Sequence, residues 1–181
     1  MKVQGYGAYF NIRNGHNSVV LPGAFKRTVE HVAAGGKIPI YASHGWAEEG
    51  IFGIQRNTGR RALPVGVVTH AAEDELGLYF EADIFDDPAD ELAGAVRSTL
   101  RALGPRPASI AFSHNGAIVE EQGKGENRTT VIHSLPPLEE ISIVHKGSDP
   151  LAYIEAAPVT TDEPPAPVAA IIPADAGQET A

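Results

Sequence analysis

The chain has 181 residues, 43% hydrophobic and 20% charged, with a formal net charge of −9 and no cysteine. That length supports one domain with a sizeable core, and the lack of thiols excludes a disulfide framework, a thiolate zinc site and a cysteine nucleophile. Scattered Lys and Arg in an acidic chain argue against a nucleic-acid partner, no stretch approaches the roughly 18 apolar residues of a membrane span, and an opening MKVQGYGAYFNI without an apolar signal core places the expected location in the cytoplasm.

Residues 3–12 carry Tyr, Phe and Ile among glycines and predict a first strand with a bend. Pro22 then opens PGAFKRTVEHVAA, where Phe25, Val29 and Val32 fall at helical spacing and Gly35-Gly36 ends the run, so a first helix is predicted from Pro22 onward. Residues 37–43, 64–71 and 77–84 are rich in β-branched and aromatic residues, and the last two are joined by a Glu-Asp-Glu-Leu-Gly turn that suits a hairpin. Asp87-Pro88 reads as a cap and first-turn proline for a second helix at roughly 88–103, with an apolar stripe of Leu92, Val96, Leu100 and Leu103 closed by Gly104.

Five further strand-length segments follow, at 108–114, 117–121, 128–133, 138–145 and 151–155, with residues 123–127 as a hairpin tip. Many short strands with two helices predict a β-rich α+β fold, an antiparallel or mixed β-barrel with helices packed outside it. From 156 to 181 the chain has five prolines, eight alanines and no aromatic residue, which reads as a disordered acidic tail after a domain of residues 1–155.

Several motifs fail. Gly35-Gly36-Lys37 lacks the upstream glycine and following Ser or Thr of a phosphate loop, and there is neither a Gly-x-Ser-x-Gly elbow nor a His-Glu-x-x-His helix. No nucleotide site is therefore indicated, an ordinary α/β-hydrolase or a zincin is argued against, and covalent catalysis has to use oxygen or nitrogen.

Three segments stand out because polar residues interrupt apolar strands. His44 ends Ile38-Pro39-Ile40-Tyr41-Ala42-Ser43-His44 on the alternation face of Ile38 and Ile40, as a satisfied core histidine or a base. Ser109 shares a face with Ala111 and Ser113 opposite Ile110 and Phe112; it is either a nucleophile with room for a substrate beside it or one residue of a solvent-facing strand side. Glu140 and Ser142 alternate with Ile141 and Ile143, so Glu140 is either a solvated surface residue or a carboxylate that orients His44 and stabilises its imidazolium.

Taken in order, these segments resemble the prohead maturation serine proteases of tailed bacteriophages, whose fold is related to the herpesvirus assemblin barrel. The resemblance rests on GYGAYF at 5–10, VLPGAF at 20–25, Ser43-His44, PVGVV at 64–68 with GLYFEA at 77–82, SIAF at 109–112, LEEISIV at 138–144 and PLA at 150–152, and covers about residues 4–155. It implies Ser109 as nucleophile, His44 as general base and Glu140 as third member of a triad. His114 and His145 are alternative third members, since related viral proteases use a second histidine there. Arg101, Arg106 or backbone amides near Ser109 are candidate oxyanion donors. The chain departs from the family at Ala111, where a glycine is usual and a methyl group narrows the cleft, and at the polar Val144-His145-Lys146-Gly147-Ser148-Asp149 stretch.

The implied function is a serine endopeptidase acting during phage head maturation, inside the assembling procapsid in the cytoplasm of the infected host. Its implied substrates are the scaffold, the removable part of the major capsid protein, and itself, and the implied mechanism needs no cofactor or metal. Analogy with the viral relatives suggests a homodimer, which no sequence feature requires. Two rivals stand beside this reading. One is an inactive barrel serving as a capsid assembly or scaffolding factor; the other is an unrelated binding barrel in which the serine, histidine and glutamate lie apart.

Overall fold

The computed structural model describes residues 1–45, 63–125 and 128–158. Among these residues ten strands and two helices follow in the order β1 (Lys2–Tyr9), β2 (Ser18–Val20), α1 (Lys26–Ala33), β3 (Pro39–Ala42), β4 (Gly66–Glu73), β5 (Gly77–Ile84), α2 (Glu91–Leu103), β6 (Arg106–Ala111), β7 (Ile118–Gln122), β8 (Thr129–Ser134), β9 (Glu140–Ile143) and β10 (Tyr153–Ala156). Seven of them close a barrel in the order β1-β10-β6-β9-β3-β4-β5, and β2, β8 and β7 form a separate three-stranded sheet. The barrel is mixed: β3 runs parallel to β9, while β6 runs antiparallel along the other edge of β9. Closure leaves the barrel no free sheet edge, and its inward residues, among them Val3, Ile38, Ile40, Phe80, Ile141 and Ile154, form the core.

Both helices flank this barrel, α1 against β4 and α2 against β10. Each starts later than its sequence suggests. Gly23 adopts φ +92°, outside the helical region, so Leu21 to Lys26 turns before α1 begins. The Phe25 amide at this helix start is satisfied by the Glu73 carboxylate at 2.7 Å. Likewise Asp87-Pro88 forms a turn, with Asp87 Oδ1 accepting from the Ala89 amide. Asp90 is the true cap, accepting from the Ala93 amide at 2.8 Å. Of the expected apolar stripe on α2, Val96 and Leu100 are buried whereas Leu103 is 64% exposed.

The β4–β5 hairpin and the bend in β1 follow the sequence reading, the bend as a register shift between Tyr6 and Ala8. The short strand β2 was not foreseen; it pairs in parallel with β8. The expected hairpin tip at 123–127 joins β7 to β8, although residues 126–127 lie outside the described residues, as does the proposed tail beyond residue 158.

The barrel's outer wall carries Tyr153, Tyr6 and Tyr79 side by side across β10, β1 and β5. Tyr6 donates to Asp74 at 2.5 Å. That hydrogen bond, then burial, raises the Tyr6 phenol well above its ordinary range. Burial first, with nearby acidic groups, also raises Tyr9, Tyr79 and Tyr153.

Candidate active site

Strand β9 is the structural centre of the site. Its two isoleucines alternate with Glu140 and Ser142, and the strand sits between two neighbours, with Ser142 opposite Ser109 on β6 and opposite Tyr41 on β3. All four residues of β9 are buried, including Glu140 at 0% exposure. The solvated-surface reading of Glu140 is thereby overturned. An interior carboxylate needs partners, and Glu140 Oε1 takes a hydrogen bond from Ser142 Oγ at 3.1 Å and contacts His44 Nδ1 at 2.5 Å.

His44 does not occupy the strand position that alternation predicts. β3 ends at Ala42, and residues Ser43–Gly45 form a tight turn in which Ser43 and His44 adopt the left-handed φ of 50° and 56°. Non-glycine residues in the left-handed region cost on the order of 1 kcal/mol each and persist where surrounding contacts hold them. Here the turn redirects His44 from the face of Ile38 and Ile40 toward Glu140. With Nδ1 engaged by the carboxylate, Nε2 makes no hydrogen bond among the described residues.

Ser109 lies on β6 directly across from Ser142, and Ala111 across from Glu140. Directly opposed residues share a face, with Cβ atoms about 4.5–5.5 Å apart and diagonal neighbours about 7–8 Å apart. Ser109 and Glu140 are such a diagonal pair. The Ser109 hydroxyl is half-buried and makes no hydrogen bond among the described residues.

Ser109, His44 and Glu140 all line one cleft of about 730 Å³, which runs between the end of β6 and the three-stranded sheet. The cleft touches every residue from Ala108 to Phe112, so it wraps the strand end instead of using one alternation face. Ala111, the departure noted above, is part of its wall. His114 lines it too, edge-on to Phe112 at 5.6 Å between ring centroids, but Glu140 and not His114 meets His44. His145, Arg101 and Arg106 are not among the cleft-lining residues.

The cleft also recruits residues that sequence reasoning missed. Asn14 Oδ1 accepts from the His16 and Ser18 amides, which folds the loop before β2. His16 Nε2 then meets Ser148 Oγ at 2.6 Å, and the Gly15 amide bonds to the Ser148 carbonyl. The Asn-Gly-His-Asn-Ser run is a turn signal, but only its bonds to a loop more than 130 residues away make it a cleft wall.

A carboxylate–imidazole pair and a serine hydroxyl that makes no hydrogen bond among the described residues, all lining one concave site, are the parts needed for nucleophilic acyl transfer. Among the described residues, no group of three or more His, Cys, Asp or Glu side chains is arranged to hold a metal ion. No helix among them is long and apolar enough to cross a membrane. None of the curated proteins matches the chain. The family model of the caudovirus prohead serine proteases matches residues 1–163, and with that span of the barrel and its cleft included, the chain belongs to this family.

Proposed function

We propose that this protein is an active serine endopeptidase, with Ser109 as nucleophile, His44 as general base and Glu140 as the group that orients and charges the pair. The observation that carries the reading is the 2.5 Å contact between His44 Nδ1 and a fully buried Glu140, in the cleft that Ser109 lines. An ionised carboxylate is acceptor only, so it holds the proton on Nδ1 and leaves the Nε2 lone pair available. Ser109 and Glu140 are diagonal neighbours on the shared face, about 7–8 Å apart, a separation that an imidazole with a hydrogen bond on each side can bridge.

In this mechanism Nε2 takes the Ser109 proton as Oγ attacks the substrate carbonyl, and Glu140 stabilises the imidazolium. The tetrahedral intermediate collapses when His44 gives that proton to the leaving amine, which yields an acyl-enzyme. Water, deprotonated by the same nitrogen, hydrolyses the ester and regenerates Ser109. The chain's own groups supply each proton transfer, and no cofactor takes part.

The family sets the context as capsid maturation. The substrates we assign are the scaffold, the removable segment of the coat protein and the chain's own residues beyond 155, cleaved inside the assembling procapsid in the infected host. The test is intact-mass analysis of concentrated wild-type protein after incubation, beside Ser109→Ala and His44→Ala. Time-dependent trimming in wild type alone supports the proposal. Equal trimming in all three forms, or scaffold left whole by folded wild type, favours the inactive assembly factor.

A further inference from the structure

The charges in the cleft are unevenly committed. Among its described carboxylates, Glu140 is held by His44 and Ser142. Asp149 accepts from the Tyr9 amide at 2.6 Å and the Leu151 amide at 2.9 Å. Glu121 pairs with Arg128 at 3.4 Å and takes the Thr130 hydroxyl at 2.8 Å. Lys146 lines the same cleft, is exposed, and forms no ion pair or hydrogen bond among the described residues.

Its position is tied to the nucleophile strand. A Cβ on the next residue, Gly147, would sit 2.4 Å from the Ala108 carbonyl oxygen, so the backbone at 147 packs directly on the residue before Ser109. The ammonium is thus carried on a wall fixed against β6. His16, bonded to Ser148, and His114 also line the cleft and add no carboxylate to it.

We propose that the cleft selects an acidic side chain, Asp or Glu, within a few residues of the scissile bond, and that Lys146 is the residue that reads it. This rests on the serine-protease reading above. A substrate carboxylate would give Lys146 the partner it lacks among the described residues, whereas a substrate Lys or Arg would meet acids that already hold hydrogen-bond or ion-pair partners.

The experiment uses the full-length protein and a set of peptidyl diphenyl phosphonates, identical except for one Glu, Leu or Lys placed in turn at each position on the acyl side of phosphorus, with internally quenched peptides carrying the same replacements on the leaving-group side. Ser109 Oγ attacks phosphorus, a P–O bond forms, and phenoxide leaves while the serine proton passes to His44. At one position the Glu probe is expected to react roughly tenfold faster than the Lys probe, as a charge-assisted hydrogen bond gives. In Lys146→Glu that ratio inverts, and in Lys146→Gln it falls to about one. Because the ratio is taken within each variant, a change in folded fraction does not alter it. Equal rates for Glu and Lys probes at every position, or a preference that survives in Lys146→Gln, overturns the proposal while leaving the protease intact. Failure of all probes, including a small uncharged fluorophosphonate, overturns the protease reading itself.

Discussion

Replacing Glu140 by Gln isolates what the buried charge contributes, because the two side chains have nearly the same volume. Oε1 of the native residue is acceptor to Ser142 at 3.1 Å and lies 2.5 Å from His44 Nδ1, at 0% exposure. A glutamine retains one acceptor oxygen but adds an NH2 donor. When that nitrogen faces His44, it donates to Nδ1 and moves the imidazole proton to Nε2, where the serine needs an acceptor. The equivalent change in the Ser-His-Asp template costs about 10⁴ in kcat. At 1.36 kcal/mol per decade that is roughly 5.5 kcal/mol of lost transition-state stabilisation. The effect on folding is far smaller, since a buried charge is itself costly and its removal offsets part of the lost hydrogen bonding. The assay is the second-order labelling rate with an uncharged fluorophosphonate, with Tm measured alongside. Labelling of Glu140→Gln within about tenfold of wild type at similar Tm would refute the assigned role, given the magnitude set by the template.

Gly147→Ala drives a methyl group into the Ala108 carbonyl at 2.4 Å. It should lower stability by about 1–3 kcal/mol and, by shifting β6, slow Ser109 labelling up to ~100-fold; an unchanged Tm would contradict the packing argument. Tyr6→Phe should have a pH-dependent effect. The raised Tyr6 phenol contributes stability that is full below the unfolded pKa of about 10 and is lost as pH rises through its folded value. At Asp74 burial disfavours the charge, but hydrogen bonds from Tyr6 and from the Gly77 and Leu76 amides hold the carboxyl below its ordinary value. That contribution is present above the unfolded pKa of about 3.9 and is lost as pH falls through the folded value. The gap in Tm between wild type and Tyr6→Phe should be widest at roughly pH 5–9 and narrow at both ends; a gap that stays constant into strong acid and strong base would contradict the linkage, and no gap at any pH would show that the bond contributes nothing.

The sequence was most legible where local pattern and tertiary outcome coincide. Residues 77–84 alternate so regularly that β5 spans the predicted range, and the strand-rich remainder with two helices gives a closed barrel. It was less legible where a residue's conformation depends on distant partners. Gly23 displaces the start of α1 by adopting a positive φ, and nothing in PGAF distinguishes that from a helical first turn. The same holds for His44, whose strained turn is held against a residue 96 positions away. Alternation grouped Glu140 with Ser142 correctly, but not their burial, because β9 is covered on a face that period two alone marks as polar. The wall at His16 and Ser148 depends on loop-to-loop bonds with no periodic signal at all.

The central claim is that Ser109 is a nucleophile activated by His44. The most direct measurement is reaction of folded protein with an uncharged fluorophosphonate, followed by proteolytic digestion and mass mapping of the adduct. The account predicts a single adduct on Ser109, absent in Ser109→Ala and slowed at least 1,000-fold or so in His44→Ala, as removal of the base does in serine hydrolases. An adduct on a different serine, or equal labelling of Ser109 in wild type and His44→Ala, would contradict it.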